Sequence, residues 1–387
     1  MCAGPKQEVE CKNSADVNEI FDAISYSKGA SVIRMLVSVL GLDAFQEGLR
    51  AYLKKHKYSN ALSDDLWEAL TTASGEDVKS LMNTWTRATG YPVLSLSLAD
   101  DGDSIIGMQQ RFFATGPTSE DTELWMIPLG CFGSHGALGE KIWSVKQGPI
   151  GATLSGGGGF IKANSQLSSV YRVGYSAELL AKLTPHVSSF TPTDRVGLVS
   201  DAFALAKAGY GDTIGALQLL SSFAGESSYI VLRAIKSGLS DLQSIMFQQP
   251  PEVRAGLKRF ALKIFQPVMA KLGWDKVEGE PHEHSMLRPL ALSVSGHAGD
   301  DAIECNERFG RYVDGDTSAI HPDLRDVVFG IVMKQGGTHG TLLSRLVPAL
   351  CRSHQCAMRV GSRSKCAHTL ACTPFRREGS ETQETQR

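Results

Sequence analysis

The sequence predicts a multidomain α+β protein, with a helical block over residues 1–92, a small antiparallel β-sandwich over 93–175 and an α-superhelical region of the HEAT or armadillo kind over 176–339. Three observations carry this reading. At 387 residues the chain is too long for one ordinary core. The hydrophobic period changes from helical to alternating after Pro92 and back again at Ser176. The composition then shifts near residue 340, where a basic, Cys-rich tail begins.

The helical block has clear start and stop signals. Asp16 with Glu19, just before Ile20 and Phe21, is a capping-box pattern. Gly41 marks a stop, and Asp43 with Gln46 restarts a second helix through Phe45, Leu49 and Leu53. Ser63 and Asp64 precede a third at Leu66 and Trp67, and Asp77 opens a fourth through Leu81, Met82 and Trp85. Gly90-Tyr91-Pro92 ends the run.

Beyond Pro92, Leu94, Leu96 and Leu98 alternate with Ser95 and Ser97, and the run Asp100 to Asp103 reads as a turn. Further short strands are predicted at 105–113, 124–132, 142–145, 160–163 and 170–175. Short strands between turn signals over about 80 residues suggest a small sandwich. From Ser176 the helical period returns, with helices expected at 177–183, 192–208, 212–223, 228–246, 250–272, 283–297, 300–313 and 321–334. Short amphipathic helices on brief loops suggest stacking into a superhelix.

The tail from Gly340 carries eight basic residues against three acidic and loses its period after Leu350. Its composition points to disorder. Over the whole chain, 39 basic and 41 acidic residues leave a net charge of −2, which offers no footprint for nucleic acid. No apolar run reaches the roughly 18 residues that a spanning helix requires, and the first ten residues lack the apolar core of a signal peptide. A cytoplasmic location without membrane attachment is the simplest expectation. Of eight cysteines, Cys2, Cys11, Cys131 and Cys305 are scattered, as free thiols in a reducing compartment would be.

The segment from Ile20 to Leu36, with Tyr26, Lys28 and Gly29 at its heart, resembles the tyrosine-bearing segment of zinc aminopeptidases, the gluzincins of puromycin-sensitive type. Asp65-Leu-Trp67, Met82-Asn-Thr-Trp85 and Gly90-Tyr91-Pro92 are similar to the end of that family's thermolysin-like catalytic domain. Trp125-x-Ile127-Pro128, Phe160-Ile-Lys162-Ala-Asn164 and Tyr171-Arg172-Val173 resemble its β-sandwich. Asp194-Arg195, Asp201, Leu272-Gly-Trp274, Glu280, Arg288 and His321-Pro-Asp-Leu324-Arg325 resemble its helical domain. The likeness runs from about Asn13 to Thr338. Past His339 the tail resembles nothing in the family and reads as the product of an alternative reading frame, intron read-through or a splice event.

The resemblance implies a zinc-dependent enzyme that removes N-terminal residues from peptides. It assigns Tyr26 as the catalytic donor to the tetrahedral intermediate. A tyrosine hydroxyl suits that role, because it donates one strong hydrogen bond without carrying charge at neutral pH. A tyrosine beside an amphipathic helix is ordinarily packing, and only the surrounding motif favours catalysis. Gly29 permits close backbone approach, and Arg34 is expected to be a structural ion-pair partner.

The family's zinc ligands and general base, in H-E-x-x-H plus a further Glu, have no counterpart in this sequence. The chain therefore reads as the back portion of a metallopeptidase without its metal half, and little activity is expected of it alone. His282-Glu283-His284 is no substitute, since zincin ligands stand four apart and Met286 occupies that position. Cys351, His354, Cys356, Cys366, His368 and Cys372 have zinc-compatible side chains in a spacing that matches no common zinc module. Ser155 to Phe160 lacks the Gly-Lys-Ser/Thr of a phosphate loop and reads as a hairpin connection.

Two other readings stand beside the enzyme. One is a non-catalytic module whose α-superhelix binds a peptide or protein; the other is a truncated product with no independent role. The missing half predicts an exposed apolar face on residues 14–90, involving Ile20, Ile33, Leu36 and Leu40, through which the chain would associate.

Overall fold

The computed structural model describes residues 24–118, 121–154, 159–299 and 301–334. It divides at Asp300 into two compact units. The expected cap at Asp16 and Glu19, the Gly-rich 155–158 connection and the Cys-rich tail lie outside the described residues.

The first unit opens with a single π-helical turn, Ile24–Lys28, that runs directly into α1, Gly29–Leu40. Helices α2, Leu42–Lys55, α3, Ser63–Ser74, and α4, Val78–Thr86, follow. Gly41, at φ 81°, breaks the backbone between α1 and α2, and the Tyr26–Leu40 and Leu42–Lys55 stretches are bent by 115°. A residue with a Cβ resists that conformation. Asp77 caps α4 as its sequence suggests, its Oδ1 accepting the Ser80 N–H at 3.0 Å. At α3 the carboxylate of Asp65 turns back to accept the Leu62 N–H at 2.8 Å, satisfying a donor just ahead of the helix. Among the described residues no single helix is long and apolar enough to cross a membrane.

Strands β1, Pro92–Leu98, β2, Ser104–Arg111, β7, Gln147–Thr153, and β9, Arg172–Tyr175, make a four-stranded sheet in the order β7-β2-β1-β9. The strands β3, Ile127–Pro128, and β6, Ile142–Trp143, pair with each other. Strand β4, Cys131–Gly133, lies between β5, Gly136–Leu138, and β8, Ile161–Lys162. The expectation of an antiparallel sandwich is corrected on strand direction: β9 runs parallel to β1, with Val93 opposite Arg172, so the sheet is mixed. An alternating pattern marks a half-buried strand but carries no direction. Here β9 returns to β1 after an excursion through all the intervening strands, and a long return permits a parallel partner that a hairpin does not.

Helices and strands share one core. Met35, Leu36, Trp67, Leu70 and Leu81 pack in the same buried cluster as Trp125, Ile127, Trp143 and Ile161. Trp85 joins the two sides, its Nε1–H donating to the Met126 carbonyl at 3.0 Å. The buried amide of Gln109 holds the long connection after β2. Its Nε2 donates to the carbonyls of Trp125 and Val145, each at 3.0 Å, and its Oε1 accepts the Trp125 N–H at 2.9 Å. Leu36, expected on an exposed face, is fully buried in this core. Among the described residues of the helical block, the exposed large apolar side chains are Tyr26, Leu42, Leu53, Tyr58 and Leu62.

After β9 come α5, Ala177–Leu183, α6, Pro192–Lys207, α7, Thr213–Ser221, α8, Tyr229–Ile245, α9, Pro251–Leu272, and α10, His282–Ala298. Successive members lie side by side: α6 contacts α7 and α8, and α9 packs along α10. Arg288 closes the end of α9. Its Nε and Nη2 donate to the Gly273 and Leu272 carbonyls at 3.1 and 3.3 Å, while Glu280 accepts from its Nη2 at 2.6 Å. Orphan carbonyls at a helix end require such donors. The second unit contains α11, Ala302–Val313, a 3₁₀ turn at Pro322–Leu324 and α12, Arg325–Lys334. Phe309 and Phe329 meet edge-to-face within it, with centroids 5.4 Å apart.

Candidate functional site

Tyr26 sits in the middle of the π turn and is 63% exposed. Single π turns concentrate at functional sites, because the wider ring redirects a side chain without ending the helix. Two contacts fix this one. Ser31 Oγ donates to the Ser27 carbonyl at 2.8 Å. Lys28 Nζ reaches across 60 residues of sequence to donate to the Ala88 carbonyl at 3.2 Å. Burial of Lys28, and secondarily the charge of Arg111, lower the pKa of that ammonium. Lys28 therefore does mechanical work in tying the tyrosine's turn to the segment that leads into β1. Gly29, the first residue of α1, is buried.

Arg34 lies further along α1, and its Nη2 donates to the Gln166 carbonyl at 2.8 Å. Its expected role as an ion-pair partner is corrected: among the described residues it binds a backbone carbonyl, and no carboxylate pairs with it. The carbonyl belongs to an unusual turn. Asn164, Gln166 and Leu167 have φ of 54°, 57° and 50°, a left-handed conformation that side chains with a Cβ seldom adopt. Asn164 is buried, and its amide donates to the carbonyls of Ser169 and Tyr171, each at 3.0 Å. Gln166 is held from the other side by Asp194 of α6, which accepts its N–H at 2.7 Å and its Nε2 at 3.0 Å.

Asp194 also receives the Thr191 hydroxyl at 2.6 Å and faces Lys162 Nζ at 3.5 Å. Both side chains of this ion pair are 2% exposed. Burial lowers the pKa of Lys162 against the opposing pull of Asp194. Arg172 of β9 donates to Asp201 Oδ1 at 3.1 Å, and the other carboxylate oxygen accepts the Val173 N–H at 3.0 Å. Burial pushes Asp201 up to about 6 against the attraction of Arg172. Lys162, Asn164, Asp194 and Asp201 stand out in the sequence only as members of family-like motifs. Nothing local signals that they converge, since Lys162 and Asp194 stand 32 positions apart. Between α1, the 164–171 turn, β9 and α6 lies a cavity of about 370 Å³, lined by Arg34, Tyr91, Arg172 and Asp201 among others.

Other candidates are accounted for by contacts of their own. Glu283 accepts the Tyr229 N–H at 2.9 Å at the start of α8. Cys131 and Cys305 are buried free thiols, each pushed up to about 12 chiefly by burial. Among the described residues no group of three or more His, Cys, Asp and Glu side chains could hold a metal ion.

Comparison with known proteins gives two family matches. The model described as "Peptidase family M1 domain" matches residues 3–85, and that described as "ERAP1-like C-terminal domain" matches residues 160–374. The second extends past His339, which overturns the expectation that family likeness stops there. Aminopeptidase M1-C of Oryza sativa subsp. japonica is 39% identical over 341 residues, covering 84% of this chain and 38% of the relative. Alanine/arginine aminopeptidase of Saccharomyces cerevisiae is 35% identical over 334 residues, covering 85% and 38%. Puromycin-sensitive aminopeptidase of Caenorhabditis elegans is 35% identical over 342 residues, covering 86% and 36%. The chain thus spans under two fifths of the length of these relatives.

Proposed function

Because the chain belongs to the M1 zinc aminopeptidase family, whose C-terminal portion it carries, we propose that it serves the removal of N-terminal residues from peptides. Its own contribution is Tyr26 as the hydrogen-bond donor to the oxyanion that forms when the scissile carbonyl is attacked. The observation that carries this reading is the exposed Tyr26 on a π turn braced by Lys28 and Ser31. Preorganised donors of this kind act because they are already aimed at the developing charge.

A catalytic zinc requires about three protein ligands and a water. The described residues provide no such set, and the sequence contains no H-E-x-x-H. Zinc does not fit on these residues, and hydrolysis by the chain alone is not expected. The helices after β9 would supply part of the wall that encloses a peptide, as an α-superhelix. The exposed Leu42, Leu53, Tyr58 and Leu62 would serve association with another polypeptide surface. The cytoplasm is the proposed location.

The test is a chimera that joins the metal-binding portion of the rice Aminopeptidase M1-C ahead of this chain, assayed for fluorophore release from alanyl and leucyl amides. Zinc-dependent turnover is expected in the chimera and absent from the 387-residue chain. Tyr26→Phe is expected to lower kcat by about 10²–10³ with zinc content unchanged. A zinc-loaded chimera indifferent to Tyr26→Phe would remove the assigned role.

A further inference from the structure

The cavity beside α1 has a chemistry that the family reading leaves unused. Arg34 and Arg172 both line it, together with the hydroxyls of Ser31 and Ser200. Arg172 is matched by Asp201 at 3.1 Å. Arg34 makes one hydrogen bond among the described residues, from Nη2 to the Gln166 carbonyl, and is exposed. A guanidinium has five N–H donors arranged to grip a carboxylate in two places. Arg34 is therefore the surplus positive charge of the cavity, with donors to spare. Ser200 is also exposed and stands where a second hydrogen bond to an anion would come from, whereas the one hydroxyl proton of Ser31 is already given to the Ser27 carbonyl.

The position is as informative as the charge. Ser31 and Arg34 stand three positions apart in α1, and both line the cavity. Arg34 comes eight positions after Tyr26. At 1.5 Å per residue that is on the order of 12 Å along the helix. An extended peptide covers that length in about three to four residues.

We propose that this cavity is a carboxylate subsite, in which Arg34, assisted by Ser200 and Arg172, takes the C-terminal carboxylate or an acidic side chain of a peptide about three residues beyond the bond held at Tyr26. The peptide geometry rests on the reading of Tyr26 above, but the carboxylate site is a property of this chain and is measurable without turnover. It would make the chain favour short peptides with a free C-terminus, or longer ones with an acidic residue at that distance.

The test uses the full 387-residue chain and three peptides: tetra-alanine acid, tetra-alanine amide, and Ala-Ala-Ala-Glu amide. Binding is read by saturation-transfer NMR of the peptide. The two carboxylate-bearing peptides are expected to bind at least tenfold more tightly than the amide, and whichever of them leads identifies the source of the carboxylate. Arg34→Met is expected to reduce the preference to below twofold. Ser200→Asp, an exposed change that sets a negative charge at the cavity wall, is expected to do the same without disturbing Arg34. Comparable binding of acid and amide, no detectable binding of any peptide, or a preference that survives both substitutions would overturn the proposal. Failure here leaves the chimera's dependence on Tyr26 untouched, so the two readings fall separately.

Discussion

Asp194 grips Gln166 twice, accepting its backbone N–H at 2.7 Å and its side-chain amide at 3.0 Å. That double contact accounts for the left-handed backbone of Gln166, at φ 57°. The strain of a non-glycine residue in this conformation is offset by charge-assisted hydrogen bonds and by the Arg34 contact on its carbonyl. One aspartate on α6 thereby fixes a turn that meets α1, and with it the wall of the cavity.

Asp194→Ala is expected to destabilise the chain by about 3–5 kcal/mol, because it takes from the buried Lys162 ammonium its ion-pair partner and leaves only the weaker pull of Asp201. The Gln166 N–H and the Thr191 hydroxyl lose their acceptor in the same step. Urea unfolding gives the comparison directly. The double variant Lys162→Met with Asp194→Leu is expected to recover part of the loss, since no unpaired charge remains. A single variant within 1 kcal/mol of wild type would contradict the assigned role.

Asp201 predicts a stability that falls as pH rises from about 4 to about 6. Burial raises its carboxyl from 3.8 to about 6 in the folded state. Over that window the native chain holds more proton than the unfolded one, so the folded advantage is present at low pH and lost as Asp201 ionises. The full swing is on the order of 2–3 kcal/mol. Asp201→Asn is expected to flatten this slope in unfolding midpoints measured at half-unit pH steps.

Glu280 predicts the opposite sign in a more acidic window. The Arg288 guanidinium holds its carboxyl at about 2, against an ordinary 4.5. Its contribution is complete above about 4.5 and is lost as pH falls towards 2. Glu280→Gln is therefore expected to remove part of the acid limb of the stability profile. The slope around Asp201's window should stay as it was.

Gly48 is the buried residue of α2, where that helix crosses α3. A Cβ there would stand 2.8 Å from Leu70 Cδ2, 3.0 Å from Leu70 Cα and 3.1 Å from the Ala69 carbonyl oxygen. Alanine gains about 1 kcal/mol of helix propensity, but overpacking costs about 1–3 kcal/mol where backbone cannot yield. Gly48→Ala is expected to lose about 1–2 kcal/mol in urea unfolding. A stabilised variant would show that α2 and α3 can separate freely.

The helices were legible because their signals are local. The apolar period of residues 177–183, Asp77 ahead of α4 and Gly41 behind α1 each act within a few positions. The motif around Tyr26 is contiguous, so its likeness to the family needs no folding to be read, and the oxyanion role of Tyr26 is a proposal that the chimera tests. Strands β5 and β7 escaped the sequence reading, since Gly136–Leu138 and Gln147–Thr153 are glycine-bearing and alternate poorly. The parallel pairing of β9 with β1, the burial of Leu36 and the meeting of Arg34, Gln166, Asp194 and Lys162 were decided by tertiary structure alone. Arg34 and Gln166 are 132 positions apart. The energy that brings them together comes from apolar burial in a core they do not join, so no pattern in the neighbourhood of either residue announces the other.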